Sequence, residues 1–197
     1  MSDIPLALPS AAPPVRPRVL LVGTALAAAA AFMGIVALVG IYVTERAAAT
    51  SGGGSWLPDN AILDLTPGNM AFATMLLSAV PMWWAVDAVS KNDRQMAYLA
   101  LGITILFGVA VINLTTFLYS ELNVGVDTLQ GALIFTTTGA HLVMIVAGLV
   151  FAAVMTFRTL GGEYQGRDHE GLTAAAIFWY VTIAAHAPIW LAIYVTK

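Results

Sequence analysis

Five apolar stretches, each long enough to cross a bilayer, occupy most of this 197-residue chain, and hydrocarbon tolerates very few backbone structures. They run from Val19 to Val43, Met70 to Val89, Met96 to Tyr119, Leu129 to Phe157 and Leu172 to Val195, against the roughly 20 residues that a spanning helix requires. Lipid offers no partner for a peptide N–H or C=O, so each run must satisfy its own backbone as a helix or join a closed barrel. The period-two alternation of barrel strands is missing. Asp87 is the only Asp, Glu, Lys or Arg inside the runs, and it lies near an end. The sequence therefore predicts an all-α integral membrane protein with five transmembrane helices.

Composition agrees: 59% of residues are hydrophobic and 10% are charged, far below the roughly 25% charged residues of soluble domains. Charge placement sets the expected orientation. Arg16 and Arg18 precede the first helix, Lys91 and Arg94 lie in the second connection, and Arg158 and Arg167 lie in the fourth. Only Arg46 and Lys197 fall on the other side, where Glu45, Asp59, Asp64, Glu121 and Asp127 gather. The positive-inside rule then places the N-terminus in the cytoplasm and, after five crossings, the C-terminus outside.

Residues 1–18 hold Pro5, Pro9, Pro13, Pro14 and Pro17 among small side chains, a composition that buries too little to fold and reads as a disordered cytoplasmic tail. The membrane domain is then 19–197. Its first run, 25 uncharged residues long, exceeds the roughly 7–15 residues of a signal-peptide core and reads as an uncleaved helix. The chain has no cysteine, which excludes disulfides, thiolate metal sites, iron–sulfur clusters and covalently attached c-type haem.

Connection lengths constrain packing. Helices two and three are joined only by Ser90 to Gln95 and must be antiparallel neighbours. The first connection is longer and begins with Ser51-Gly-Gly-Gly-Ser55, which favours mobility, so helix one need not lie beside helix two. Trp56, with Leu57, Ile62 and Leu65, can rest at the interface as an aromatic anchor. In helix one, Ala25 to Ala31, Gly34, Ala37 and Gly40 offer a small-residue face for close helix approach. Pro81 and Pro188 remove helix hydrogen bonds and predict kinks in helices two and five.

Polar groups at membrane depth are the candidates for chemistry, because burying them is costly unless something compensates. They are Asp87, Asn113, His141 and His186, with Thr136, Thr137, Thr138 and Thr182 as weaker members. His141 lies about 18 Å and His186 about 14 Å from the same end of their helices, so the two can face each other. Two readings of that pair stay open. Neutral imidazoles on neighbouring helices can bind one b-type haem from opposite sides, as in a membrane anchor subunit of a quinone-linked dehydrogenase. Alternatively, each makes hydrogen bonds between helices, to the threonines or to Asn113. Asp87 stands about one turn from Lys91 and Arg94, which favours a local ion pair over a proton relay.

The chain holds no HExxH zinc motif, no phosphate-cradling glycine loop, no nucleophile elbow and no facing carboxylate pair within the membrane. With few buried ionisable groups, it reads as a subunit rather than a complete pump or enzyme.

Several segments resemble subunit III of haem–copper oxidases in its short, five-helix bacterial form. Met75-Leu-Leu-Ser-Ala-Val-Pro-Met-Trp-Trp-Ala85, then Lys91-Asn-Asp-Arg94 with an immediate return into helix three, is similar to the family's serine-rich helix and short basic turn. Phe135-Thr-Thr-Thr-Gly-Ala-His141 and Ala147-Gly148 resemble its Phe-x-x-Thr-Gly-x-His and later Gly-Gly. Arg158, His169, Gly171, Ala174 to Ala176 and Phe178-Trp179 are similar to its arginine, histidine, glycine, alanine run and Tyr-Trp, and Tyr194 to its terminal tyrosine. The chain also departs from the pattern. The family's intramembrane glutamate slot holds Ala31, its second helix-four histidine becomes Met144, and the glutamate after the cytoplasmic glycine becomes Thr173. Tyr180, Ile183 and His186 replace a histidine, an aspartate and a tryptophan.

The resemblance implies an accessory subunit of a terminal oxidase such as cytochrome c oxidase, in the bacterial inner membrane. It would carry no cofactor or redox centre of its own and pack against catalytic subunit I, which holds haem and copper, and the rest of the complex. Phospholipids are the other expected partners, and nucleic acid is not expected. Arg158 matches a family arginine implicated in lipid binding, and its guanidinium can grip a phospholipid phosphate. Trp83, Trp84 and Trp179 line the same lipid cleft or pack between helices. Asp87, Asn113, His141 and His186 are expected in polar contacts between helices.

Overall fold

A computed structural model describes residues 18–161 and 169–196, with Leu160 described in its backbone alone. Residues 1–17 of the proline-rich segment, Arg16, Arg167 and Lys197 lie outside the described residues. Five helices long and apolar enough to cross a membrane make up the fold, and the described residues include no strand. They are α1 (Val19–Thr50), α2 (Leu65–Ser90), α3 (Arg94–Glu121), α4 (Leu129–Leu160) and α5 (Glu170–Ile189), which continues as a π-helical segment, Trp190–Val195.

The helices outrun their apolar sequence, because a helix needs hydrogen bonds rather than hydrophobicity to continue. α1 runs seven residues past Val43, through Ala47, Ala48 and Ala49, all strong helix formers. α2 begins at Leu65, with Pro67 in the first turn, where a missing N–H deprives no intrahelical acceptor. α3 and α4 gain local caps: Asp93 accepts from the Met96 N–H and Thr128 from the Gly131 N–H, each at 3.1 Å. Asn92, at φ 60°, turns the three-residue link between α2 and α3. Past Pro188 the α pattern gives way to the wider π pattern at Trp190, the helix's local response to the missing donor.

α5 sits at the centre. It packs on α1, α4 and α2, while α2 pairs extensively with α3 and α3 with α4. Half of the apolar window of α5 is buried inside the bundle, against 17% for α1. α1 finds its principal neighbours in α5 and α4, as its long connection to α2 permits. Its buried residues, Ala28, Ile35 and Tyr42, recur every seven positions, the narrow seam of a helix lying nearly along its neighbour. The small-residue face is thus only partly used. Ala28 is buried, but Gly34, Ala37 and Gly40 point outward, and Gly34 and Gly40 have open space where a Cβ would be.

Trp179 on α5 organises the rest. Its indole is fully buried, its Nε1–H donates to Ser78 Oγ on α2 at 3.0 Å, and Gly108 of α3 and Gly148 of α4 flank the ring. A Cβ added at either glycine would fall 2.8 Å from an indole carbon. Within lipid the hydrophobic effect does not hold helices together, so such close packing and interhelical hydrogen bonding must.

The first connection is docked onto the end of the bundle. Trp56 is 4% exposed, donates from Nε1 to Tyr42 Oη at 3.0 Å and meets that ring edge-on at 5.5 Å. The Ile62 N–H donates to Leu122 O and Asn60 Nδ2 to Asn123 O, tying this connection to the one between α3 and α4.

Replacing Gly148 or Gly108 with valine should destabilise the bundle by about 1–3 kcal/mol through overpacking against Trp179. Reversible unfolding in mixed micelles measures this, and the equivalent change at Gly34 should be nearly silent.

Candidate functional site

The segment Phe135–His141 lies on α4 with Thr137, Thr138 and His141 turned inward and Thr136 outward. His141 is 4% exposed, and its Nε2 lies 3.0 Å from the Thr182 carbonyl oxygen on α5. That carbonyl only accepts, so Nε2 carries the hydrogen. His186, one turn further along α5, meets His141 with ring centroids 4.8 Å apart at 62°. On its other side Phe72 of α2 stacks on His186 at 5.9 Å and on Trp190 at 4.8 Å, and Trp190 Nε1 donates to Asn69 Oδ1. The two histidines expected to face each other do so, inside a ladder of rings that joins α4, α5 and α2.

This arrangement does not favour the haem reading. Bis-imidazole ligation requires a porphyrin between the rings, whereas these rings touch edge to face and one Nε2 is committed to a carbonyl. Among the described residues no group of three or more His, Asp or Glu side chains is placed to hold a metal ion. The hydrogen bonding of the pair is asymmetric. His141 bridges α4 to α5, whereas both ring nitrogens of His186 and Thr137 Oγ1 have no hydrogen-bond partner among the described residues. Thr138 completes a separate bridge to Tyr119 Oη of α3 at 2.8 Å.

Asn113 does not join them. It lies on the outward face of α3, not toward His141 as the sequence reading proposed. Periodicity contains the reason: the inward positions of α3 are Leu101, Thr104, Gly108, Val111 and Leu118, and Asn113 is off that stripe. Asp87 pairs with Lys91 Nζ at 2.7 Å, an i, i+4 pair at the exposed end of α2. Such a pair contributes about 0–1 kcal/mol.

The residues expected to meet lipid separate in the structure. Arg158 is exposed near the end of α4. Trp83 is 63% exposed on α2 and Trp84 is half-buried beside the core. Trp179 has no surface for a lipid, because it is the packed centre of the bundle. Of the two roles open to it, the fold gives it the one between helices. The sequence did carry a signal: Gly108, Gly148 and Ser78 are the small partners that a buried indole requires.

Sequence reading missed Glu170. Its Oε1 accepts from the Leu21 N–H at 3.0 Å, so a carboxylate in the first turn of α5 also caps α1. Both helices begin at that end, and both dipoles favour the negative charge. At the opposite end of the same helix pair, Arg46 Nη1 donates to Thr196 Oγ1.

Comparison with known proteins gives one consistent result. A family model described as cytochrome c oxidase subunit III matches residues 20–197. The cytochrome c oxidase subunit 3 of Cyprinus carpio is 30% identical over 148 residues, 73% of this chain and 55% of that protein. Those of Coturnix japonica and Drosophila melanogaster are 29% and 28% identical with the same coverage. The chain thus spans about half the length of the curated relatives it matches, 55% for these.

His186→Phe should leave stability unchanged or raise it by about 1 kcal/mol, since it keeps the ring stack and removes two unsatisfied nitrogens. His141→Phe should lower it by about 1 kcal/mol, the scale of an interhelical hydrogen bond in a membrane. Unfolding of the two variants in the same micelles checks the asymmetry.

Proposed function

Because this chain belongs to the cytochrome c oxidase subunit III family, we propose that it is the accessory subunit III of a haem–copper terminal oxidase in a bacterial plasma membrane. The observation that carries this reading is that the family match runs through all five helices, not one motif. In this role the chain stabilises the catalytic subunit, and oxygen reduction and proton translocation belong to the complex. The contact geometry of His141 and His186 supports a redox-silent chain, since their rings leave no room between them for a porphyrin.

The bundle also leaves surface for partners. α1 exposes most of its apolar length, and Trp83, Leu106, Val109 and Phe157 are each at least half exposed. Arg158 on α4 and Trp83 on α2 each fit a separate phospholipid contact toward the end that the charge pattern assigns to the cytoplasm. Asn113 fits an intersubunit hydrogen bond, because an amide facing lipid is costly and an amide facing a partner helix is not.

Affinity purification of the tagged chain from its native membrane should recover a haem–copper catalytic subunit, identified by mass spectrometry. Recovery as a stable free homomer would overturn the assignment, as would a haem spectrum from this chain alone that His141→Ala abolishes. Asn113→Leu should leave the isolated chain as stable as before and reduce recovery of the catalytic subunit by several-fold, roughly the factor that one membrane hydrogen bond provides.

A further inference from the structure

Where α1 and α5 end side by side, they enclose a cavity of about 490 Å³, within the roughly 300–1,000 Å³ of small-molecule sites. Val39 and Val43 of α1 form one apolar wall, and Pro188, Leu191 and Ala192 of α5 form the other. Arg46, Thr50 and Thr196 supply its polar lining. Arg46 and Thr50 also line a second cavity, of about 260 Å³, with Gly54, Ser55 and Trp56 of the first connection. One arginine therefore stands between an apolar trough along two spanning helices and a polar recess beyond them.

We propose that these paired cavities hold a phospholipid. One acyl chain lies in the trough between α1 and α5, the phosphodiester sits on Arg46 with the Thr50 hydroxyl beside it, and the headgroup enters the recess beside Ser55. The occupant follows from charge and shape. A guanidinium has five donors in a planar fork, and the bond to Thr196 Oγ1 uses one of them and orients the group. Phosphate is the anion whose oxygens suit such a fork, and a phosphate carrying an acyl chain also fills the apolar trough. Both helices end here, so their carbonyl dipoles oppose net negative charge. Attraction for the phosphodiester therefore comes from the Arg46 guanidinium, and zwitterionic and anionic phospholipids both carry that group. It lies at the opposite end of the bundle from Arg158 and does not depend on the oxidase assignment.

Native mass spectrometry of the purified full chain, titrated separately with phosphatidylglycerol, phosphatidylethanolamine and diacylglycerol, tests this. Both phospholipids should occupy a site that diacylglycerol does not. Arg46→Gln should weaken that occupancy roughly ten-fold, in line with loss of a charge-assisted contact. Val43→Trp, at a position 44% exposed and so tolerant of bulk, should block it equally by filling the trough. Circular dichroism confirms that each variant is folded, and if Arg46→Gln is not, Val43→Trp decides. Retention of the lipid at wild-type strength in Val43→Trp, or in a folded Arg46→Gln, would overturn the proposal. So would diacylglycerol binding as strongly as the phospholipids.

Discussion

The bundle depends on one buried indole. Trp179 brings α5 against α2 through a hydrogen bond to Ser78 and against α3 and α4 through two glycines that leave room for its ring. A membrane removes the hydrophobic driving force between helices and leaves shape and polar contacts to choose neighbours. A large rigid side chain seated between glycines supplies shape, and its single N–H supplies direction. The central position of α5 follows, and the ladder of Phe72, His186 and His141 continues the same α2–α5–α4 contact toward the other end.

α1 is held differently. Its seam is narrow, with only Ala28, Ile35 and Tyr42 buried, and polar contacts hold it at the two ends of its contact with α5. Glu170 caps its first turn, and Arg46 reaches Thr196 beyond its last crossing. Trp56 then folds the first connection back onto Tyr42. This leaves most of α1 facing outward, as the proposed role of an accessory oxidase subunit requires.

Much of the functional reading was legible before any coordinates. His141 and His186 were recognised as a pair from depth alone, because a rise of about 1.5 Å per residue converts sequence position into height in the membrane. Depth says nothing about azimuth between helices, and that is where the reading divided. It kept haem ligation as an alternative to hydrogen bonding for the histidines, and it turned Asn113 inward although that residue lies off the buried stripe of α3. Trp179 and Trp83 look alike in sequence, yet one is the packed centre and the other faces out. Glu170 was passed over because its partner, the Leu21 N–H, is a backbone group 149 residues away.

Hydrocarbon determines some properties without tertiary information. Apolar length set the number of helices, and the family motifs from Met75 to Tyr194 marked the kinship, because both are written in consecutive residues. Packing decided the rest: α5 at the centre, α1 at the margin, the histidines in direct ring contact, and an arginine set between two cavities. In an apolar helix nearly every face is greasy enough to be buried. The rotation each helix adopts is therefore fixed only when glycines, a tryptophan and a few hydrogen bonds meet across the bundle.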